Sequence, residues 1–159
     1  MLINITKKQA GFGLIESLVA LLVISIGLLG IAALQITSLK QNASAQWHSQ
    51  AVWYSYEMTD RIVANKNAFD NYDTIDTNGD YDMNCQANPC TPAQIVTSDA
   101  QDWKRMVDNL PGGRGVIASS GPNSLTISIM WDEGLEQSNC INDEPAASGM
   151  TCYTVTSVR

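Results

Sequence analysis

Histidine is almost missing from this chain: His48 is the only one among 159 residues. A single histidine argues against a His-ligated metal centre and against a His-based catalytic triad. Charge is also scarce, at 16% of residues against a usual quarter or so. The shortage is local, because Glu16 is the single charged residue between Phe12 and Gln35. Positive charge is outnumbered, nine Lys and Arg facing sixteen Asp and Glu for a net −7, which argues against a nucleic-acid-binding surface. Proline does not occur before Pro89, nor glycine between Gly30 and Gly79, so nothing in that stretch breaks a helix. No cysteine precedes Cys85. The patterns G-x-S-x-G and H-E-x-x-H are absent, as is a Walker-type loop. The Gly112-Gly113-Arg114-Gly115 cluster lacks a following Lys-Ser/Thr and reads as a helix-to-strand turn. The chain thus reads as a non-enzymatic protein without a cofactor.

What is present begins with an apolar run. Ser17 to Leu34, SLVALLVISIGLLGIAAL, carries no charge. As a helix, Phe12 to Leu34 would extend roughly 34 Å at about 1.5 Å per residue, enough to cross a hydrocarbon core of about 30 Å. Lys7 and Lys8 precede it and no charge follows until Lys40, which predicts a cytoplasmic N-terminus with residues 35–159 outside. A secretory signal peptide has a shorter apolar core, and the one A-x-A site, Ala43-Ser44-Ala45, lies far past Leu34. A plain single-pass anchor leaves Glu16 unexplained, since a carboxylate inside a membrane helix costs about 2.5–3.5 kcal/mol on insertion scales.

Lys7-Lys8-Gln9-Ala10-Gly11 followed by Phe12-Gly13-Leu14-Ile15-Glu16 resembles the processing signal of type IV pilins and type II secretion pseudopilins. The resemblance implies a leader over residues 1–11, cut after Gly11 by a prepilin peptidase. It also implies N-methylation of Phe12 and subunit docking through Glu16, which meets the N-terminal amine of a neighbouring subunit. Loss of Lys7 and Lys8 would take the side-chain charge from −7 to −9. The implied organisation is a leader at 1–11, a membrane-spanning apolar helix at 12–34 and a periplasmic or extracellular head at 35–159.

Beyond the run, Trp47, Ala51, Tyr54, Met58 and Ile62 recur on one face of a helix predicted to continue to about Lys66. Glu57 and Arg61 form an i,i+4 pair on the same helix. His48 lies beside the stripe and reads as an ordinary, partly exposed side chain. Residues 67–91 are rich in Asn and Asp and read as loop. Asp76-Thr77-Asn78-Gly79-Asp80 invites a calcium loop. Setting Gly79 at its sixth position puts Thr74 first and Cys85 twelfth, neither a carboxylate, so a solvated turn is expected. Thr91-Pro92 starts a helix or helix pair reaching about Asn109, with Asp99 expected to cap its second part. Gly115–Ser119, Ser124–Trp131 and Met150–Val158 read as strands, and Asp132–Gly149 as an acidic loop. The expected fold is α+β, a long N-terminal membrane-spanning helix packed on a small antiparallel β-sheet.

Cys85-x4-Cys90, Pro92-Ala93-Gln94, Asp99, Trp103 and Leu110-Pro111-Gly112-Gly113, together with the run Ile15 to Val23, resemble the PilV-type minor pilins, or pilus modification proteins. Four cysteines outside the cytoplasmic membrane read as two disulfides, with three connectivities open. Cys85–Cys90 would clip a loop, and Cys140–Cys152 would tie the acidic loop to the last strand. Zinc is disfavoured because the x4 and x11 spacings lack a C-x2-C knuckle. The resemblance implies a minor pilin that inserts in the inner membrane and enters type IV pili. Its partners would be other minor and major pilins, met through the N-terminal helix, as well as inner membrane lipid and the prepilin peptidase. A pseudopilin of type II secretion and a pilus-tip adhesive module are the alternative readings.

Overall fold

The computed structural model describes residues 13–83, 85, 89–133, 139–141, 144–145 and 150–158, and the chain divides into two units between Ala43 and Ser44. Helix α1, Leu14–Ala64, is unbroken over 51 residues, as the lack of proline predicts. Over residues 18–34 its side chains are apolar on every face but for Ser25, and the large ones are exposed. By length and composition this helix is able to cross a membrane. Two hydroxyls within it fold back on the backbone, Ser25 Oγ donating to the Leu21 carbonyl at 2.7 Å and Thr37 Oγ1 to that of Ala33 at 3.1 Å. Polar hydrogens satisfied inside the helix place no extra demand on an apolar surrounding.

In the second unit, α1 buries Ala51, Tyr54, Ser55, Met58 and Ile62, with Trp47 partly covered. This is the predicted stripe. Helix α2, Pro92–Val107, starts at Thr91 with a full capping box: the Gln94 amide donates to Thr91 Oγ1, and the Thr91 amide donates to Gln94 Oε1 at 2.9 Å. It is one helix, not a pair. Asp99 lies in its middle, buried, and caps nothing.

The sheet has the order β1-β2-β5, from β1 (Arg114–Gly121), β2 (Ser124–Asp132) and β5 (Met150–Val158), all antiparallel. Ile117 pairs with Ile127, and Ile127 with Val155. Between β2 and β5, the stretch expected to be wholly loop holds a short ribbon, β3 (Asn139–Ile141) with β4 (Glu144–Pro145). Strand β2 alternates, and its Leu125, Ile127, Ile129 and Trp131 face the helices. Ser128 and Met130 on the opposite face are buried too, because Val116, Met150 and Cys152 pack around Met130.

The Asn/Asp-rich stretch departs most from expectation. Residues Lys66–Tyr72 form a 3₁₀ helix that buries Ala68, Phe69 and Tyr72. The part after it is bound to the outer edge of β1 through residues 74–77 and then makes the expected turn, with Gly79 N donating to the Asp76 carbonyl at 2.8 Å and Asn78 exposed. Thr74 N donates to the Ile117 carbonyl at 3.0 Å, Ile117 N to that of Ile75 at 2.8 Å, and Thr77 N to that of Gly115 at 2.9 Å. The Tyr81 hydroxyl donates to the Asp76 carbonyl at 2.9 Å and fixes the bend.

Candidate assembly site

At the start of α1, Glu16 lies in the first turn, its amide donating to the Gly13 carbonyl at 2.9 Å. A carboxylate there meets the positive end of the helix dipole. The next charge along the helix is Lys40, so Glu16 heads an apolar cylinder. A helix apolar all round is stable only inside lipid or among other apolar helices. Gly11 and Phe12, the expected cleavage and methylation residues, lie outside the described residues.

Two polar clusters hold the second unit. The first centres on Arg61, which donates to Asp99 Oδ1 at 2.9 Å, Asp102 Oδ2 at 3.2 Å and Glu57 Oε1 at 3.0 Å. The Tyr72 hydroxyl donates to Asp99 Oδ2 at 2.5 Å. Asn65 Nδ2 joins the 3₁₀ helix to α2 through Tyr72 Oη at 3.2 Å and the Pro92 carbonyl at 2.8 Å. Burial works against the Arg61 charge, yet its hydrogen bonds to Glu57, Asp99 and Asp102 leave it more firmly protonated than usual. Burial, then the bond to Asp99, pushes the Tyr72 phenol up. This cluster ties α1, the 3₁₀ helix and α2 together. The sequence pattern reveals only its Glu57–Arg61 pair.

The second cluster pairs Arg114 of β1 with Asp76, Nε to Oδ1 at 3.1 Å and Nη2 to Oδ2 at 2.6 Å. Both Asp76 oxygens are engaged, and Asn78 N adds a bond to Oδ1 at 3.0 Å. A calcium loop is not what this aspartate serves. Among the described residues, no three His, Cys, Asp or Glu side chains converge to hold a metal ion. Hydrogen bonding to Arg114 lowers the Asp76 pKa against a smaller opposing effect of burial. A depressed carboxylate contributes stability present above the ordinary aspartate pKa of about 4, and lost as the pH falls through the folded value. On acidification below about pH 4, the native chain should therefore lose more stability than Asp76→Asn does. Because both partners are partly exposed, the difference should stay near or under 1 kcal/mol. Urea unfolding at pH 7, 4 and 3 checks this, and equal pH slopes for the two proteins would refute it.

Cys85 and Cys90 form a disulfide with Cα atoms 5.5 Å apart, beside the capped start of α2. Cys152 is also disulfide-bonded; the Cys140 side chain lies outside the described residues. His48 is exposed and meets Trp131 edge-on, ring centroids 4.8 Å apart.

Compared with protein families, residues 6–32 match the model of the prokaryotic N-terminal methylation motif, and residues 33–101 match a family described as type IV pilin Tt1218. The chain belongs to the type IV pilins. Comparison with curated proteins and with solved structures returned no match. The methylation-motif match spans Gly11, Phe12 and Glu16 and stops within the apolar helix. The second match runs on through the rest of α1, the 3₁₀ helix and the first ten residues of α2. Pilin families are structural rather than catalytic, in keeping with clusters that bind elements of the chain to one another. A pilin anchored by its apolar helix accounts for that helix's exposed surface.

Proposed function

We propose that this pilin is a minor pilin of the PilV type, which joins other minor pilins in starting the assembly of type IV pili. The observation that supports it most is Glu16, the lone charge at the head of an exposed, wholly apolar helix, set within the methylation motif. In this reading the precursor sits in the inner membrane with Lys7 and Lys8 in the cytoplasm. The prepilin peptidase cuts between Gly11 and Phe12 and the new amine is methylated. Residues 12–34 hold the chain in lipid, and residues 35–159 form the outer head. Glu16 then needs a partner once water is excluded, and the amine of Phe12 on a neighbouring subunit supplies the opposite charge. The minor-pilin assignment draws on the Cys85–Cys90 clip, Pro92-Ala93-Gln94 and the Leu110-Pro111-Gly112-Gly113 turn, and on the lack of proline in the lower half of α1. The second disulfide in this reading is Cys140–Cys152.

The experiment compares wild type with Glu16→Ala in cells lacking the native copy. Mass spectrometry of the mature wild type should find a chain beginning at methylated Phe12. Glu16→Ala should insert and be cleaved normally, because the helix becomes more apolar and Gly11 is untouched. It should be depleted from sheared pili while accumulating in the membrane. A mature N-terminus at Gln46, or wild-type levels of the variant in pili with normal piliation, would overturn the reading.

A further inference from the structure

Most of the second unit's large apolar side chains are well covered. Among the described residues, the four that stand more than half exposed are Trp53, Tyr56, Val63 and Val158. They are not scattered. Trp53, Tyr56, Asp60 and Val63 follow the 3-4-3 spacing of a heptad seam on the outward side of α1, and all four are exposed. The inward side of the same helix segment carries the buried Tyr54, Met58 and Ile62. Tyr56 lies close to Tyr153 of β5, which extends the surface onto the sheet. At the other end, Val63, Lys66, Phe69 and Val158 line a shallow apolar notch. A row of apolar side chains beside a notch offers knobs and a hole to a second helix. Isolated exposed apolar residues are ordinary, but a collected row with two aromatic members marks an interaction surface.

Charge identifies the occupant. Asp60 sits inside the row, between Tyr56 and Val63, and makes no ion pair among the described residues. Burying it under a partner requires a cation opposite. A second copy of this chain, −9 against −9 once the leader is removed, brings like charge to this face. We propose that the Trp53–Tyr56–Asp60–Val63 face of α1, with Val158 of β5, docks an α-helix of a different, less acidic pilin subunit that presents apolar side chains to the row and a Lys or Arg to Asp60. The proposal rests on the minor-pilin reading for the class of partner and not for the existence of the surface.

The test places a photo-crosslinking benzophenone amino acid at Tyr56 of the full chain in its own cells, and at the exposed Ser120 of β1 as a control. Crosslinked peptides are sequenced by mass spectrometry from both membrane and sheared-pilus fractions. The expected product joins position 56 to a Lys- or Arg-bearing helical peptide of another pilin, with little from position 120. Asp60→Lys should lower its yield about fivefold, and replacing the partner's cation by Glu should restore it. A crosslink to a second copy of this chain, to a non-helical segment or equally from position 120 would overturn the proposal. So would an absent crosslink, or one indifferent to Asp60→Lys. A chain missing from pili but crosslinked as expected in the membrane would contradict the pilus reading while supporting this surface. A chain present in pili without the crosslink would do the reverse.

Discussion

Replacing Arg61 by Met is expected to destabilise the second unit by about 3 kcal/mol, near the lower end for removing one partner of a buried ion pair. Met fills much of the same volume, so the loss measures charge rather than a cavity. Asp99, buried in the middle of α2, would keep only the Tyr72 hydroxyl as a donor. Asp102 retains Arg105 and Glu57 is partly exposed, so Asp99 carries most of the cost. Asp99→Asn in the Arg61→Met background should recover a large part of the stability, because a neutral amide still accepts from Tyr72. Urea unfolding of the detergent-solubilised full chain, followed by tryptophan fluorescence, supplies the double-mutant cycle. If Arg61→Met alone costs less than about 1 kcal/mol, in the range of an exposed pair, the cluster does not hold the helices together.

Gly115→Ala is expected to be as damaging for a steric reason. A methyl group at Gly115 would come within 2.5 Å of Trp103 Cη2 and within 2.8 Å of two other atoms of the same ring. Trp103 is fully buried and donates its indole Nε1 to the Tyr54 carbonyl at 3.2 Å, so the ring has nowhere to retreat. The expected cost is about 3 kcal/mol, at the top of the usual range for overpacking. Trp103→Phe removes the offending ring edge. It should itself lose about 2–3 kcal/mol to the cavity it opens, while making Gly115→Ala nearly neutral. Strict additivity of the two changes would show that the Trp103 ring does not press against the backbone of β1 at Gly115.

The same pair shows why some of the architecture is legible in the sequence and some is not. The stripe from Ala51 to Ile62 and the alternation from Leu125 to Trp131 are periodic, and periodicity survives in one dimension. Asp99 reads as a cap because aspartate favours helix starts. Its true role depends on Arg61, thirty-eight residues earlier in the chain. The 3₁₀ helix at Lys66–Tyr72 is hidden by composition: its asparagines and aspartates look like loop, while Ala68, Phe69 and Tyr72 supply the burial. By the alternation of β2 alone Met130 would face solvent, because nothing local announces Val116 and Met150 on the far side of the sheet. The N-terminal motif is fully readable, since its meaning lies in contiguous residues.

Segment 74–77 has a consequence for subunits that live crowded together. Hydrogen-bonded along β1, it occupies the row of amides and carbonyls that would otherwise invite a neighbouring strand. Pilus subunits are held at very high local concentration, where open sheet edges zip together and separate slowly. A chain that seals this flank with its own backbone cannot be captured there in the wrong alignment. At this flank, recognition between neighbours is left to side chains, which can discriminate one subunit from another, rather than to backbone, which is the same in all of them.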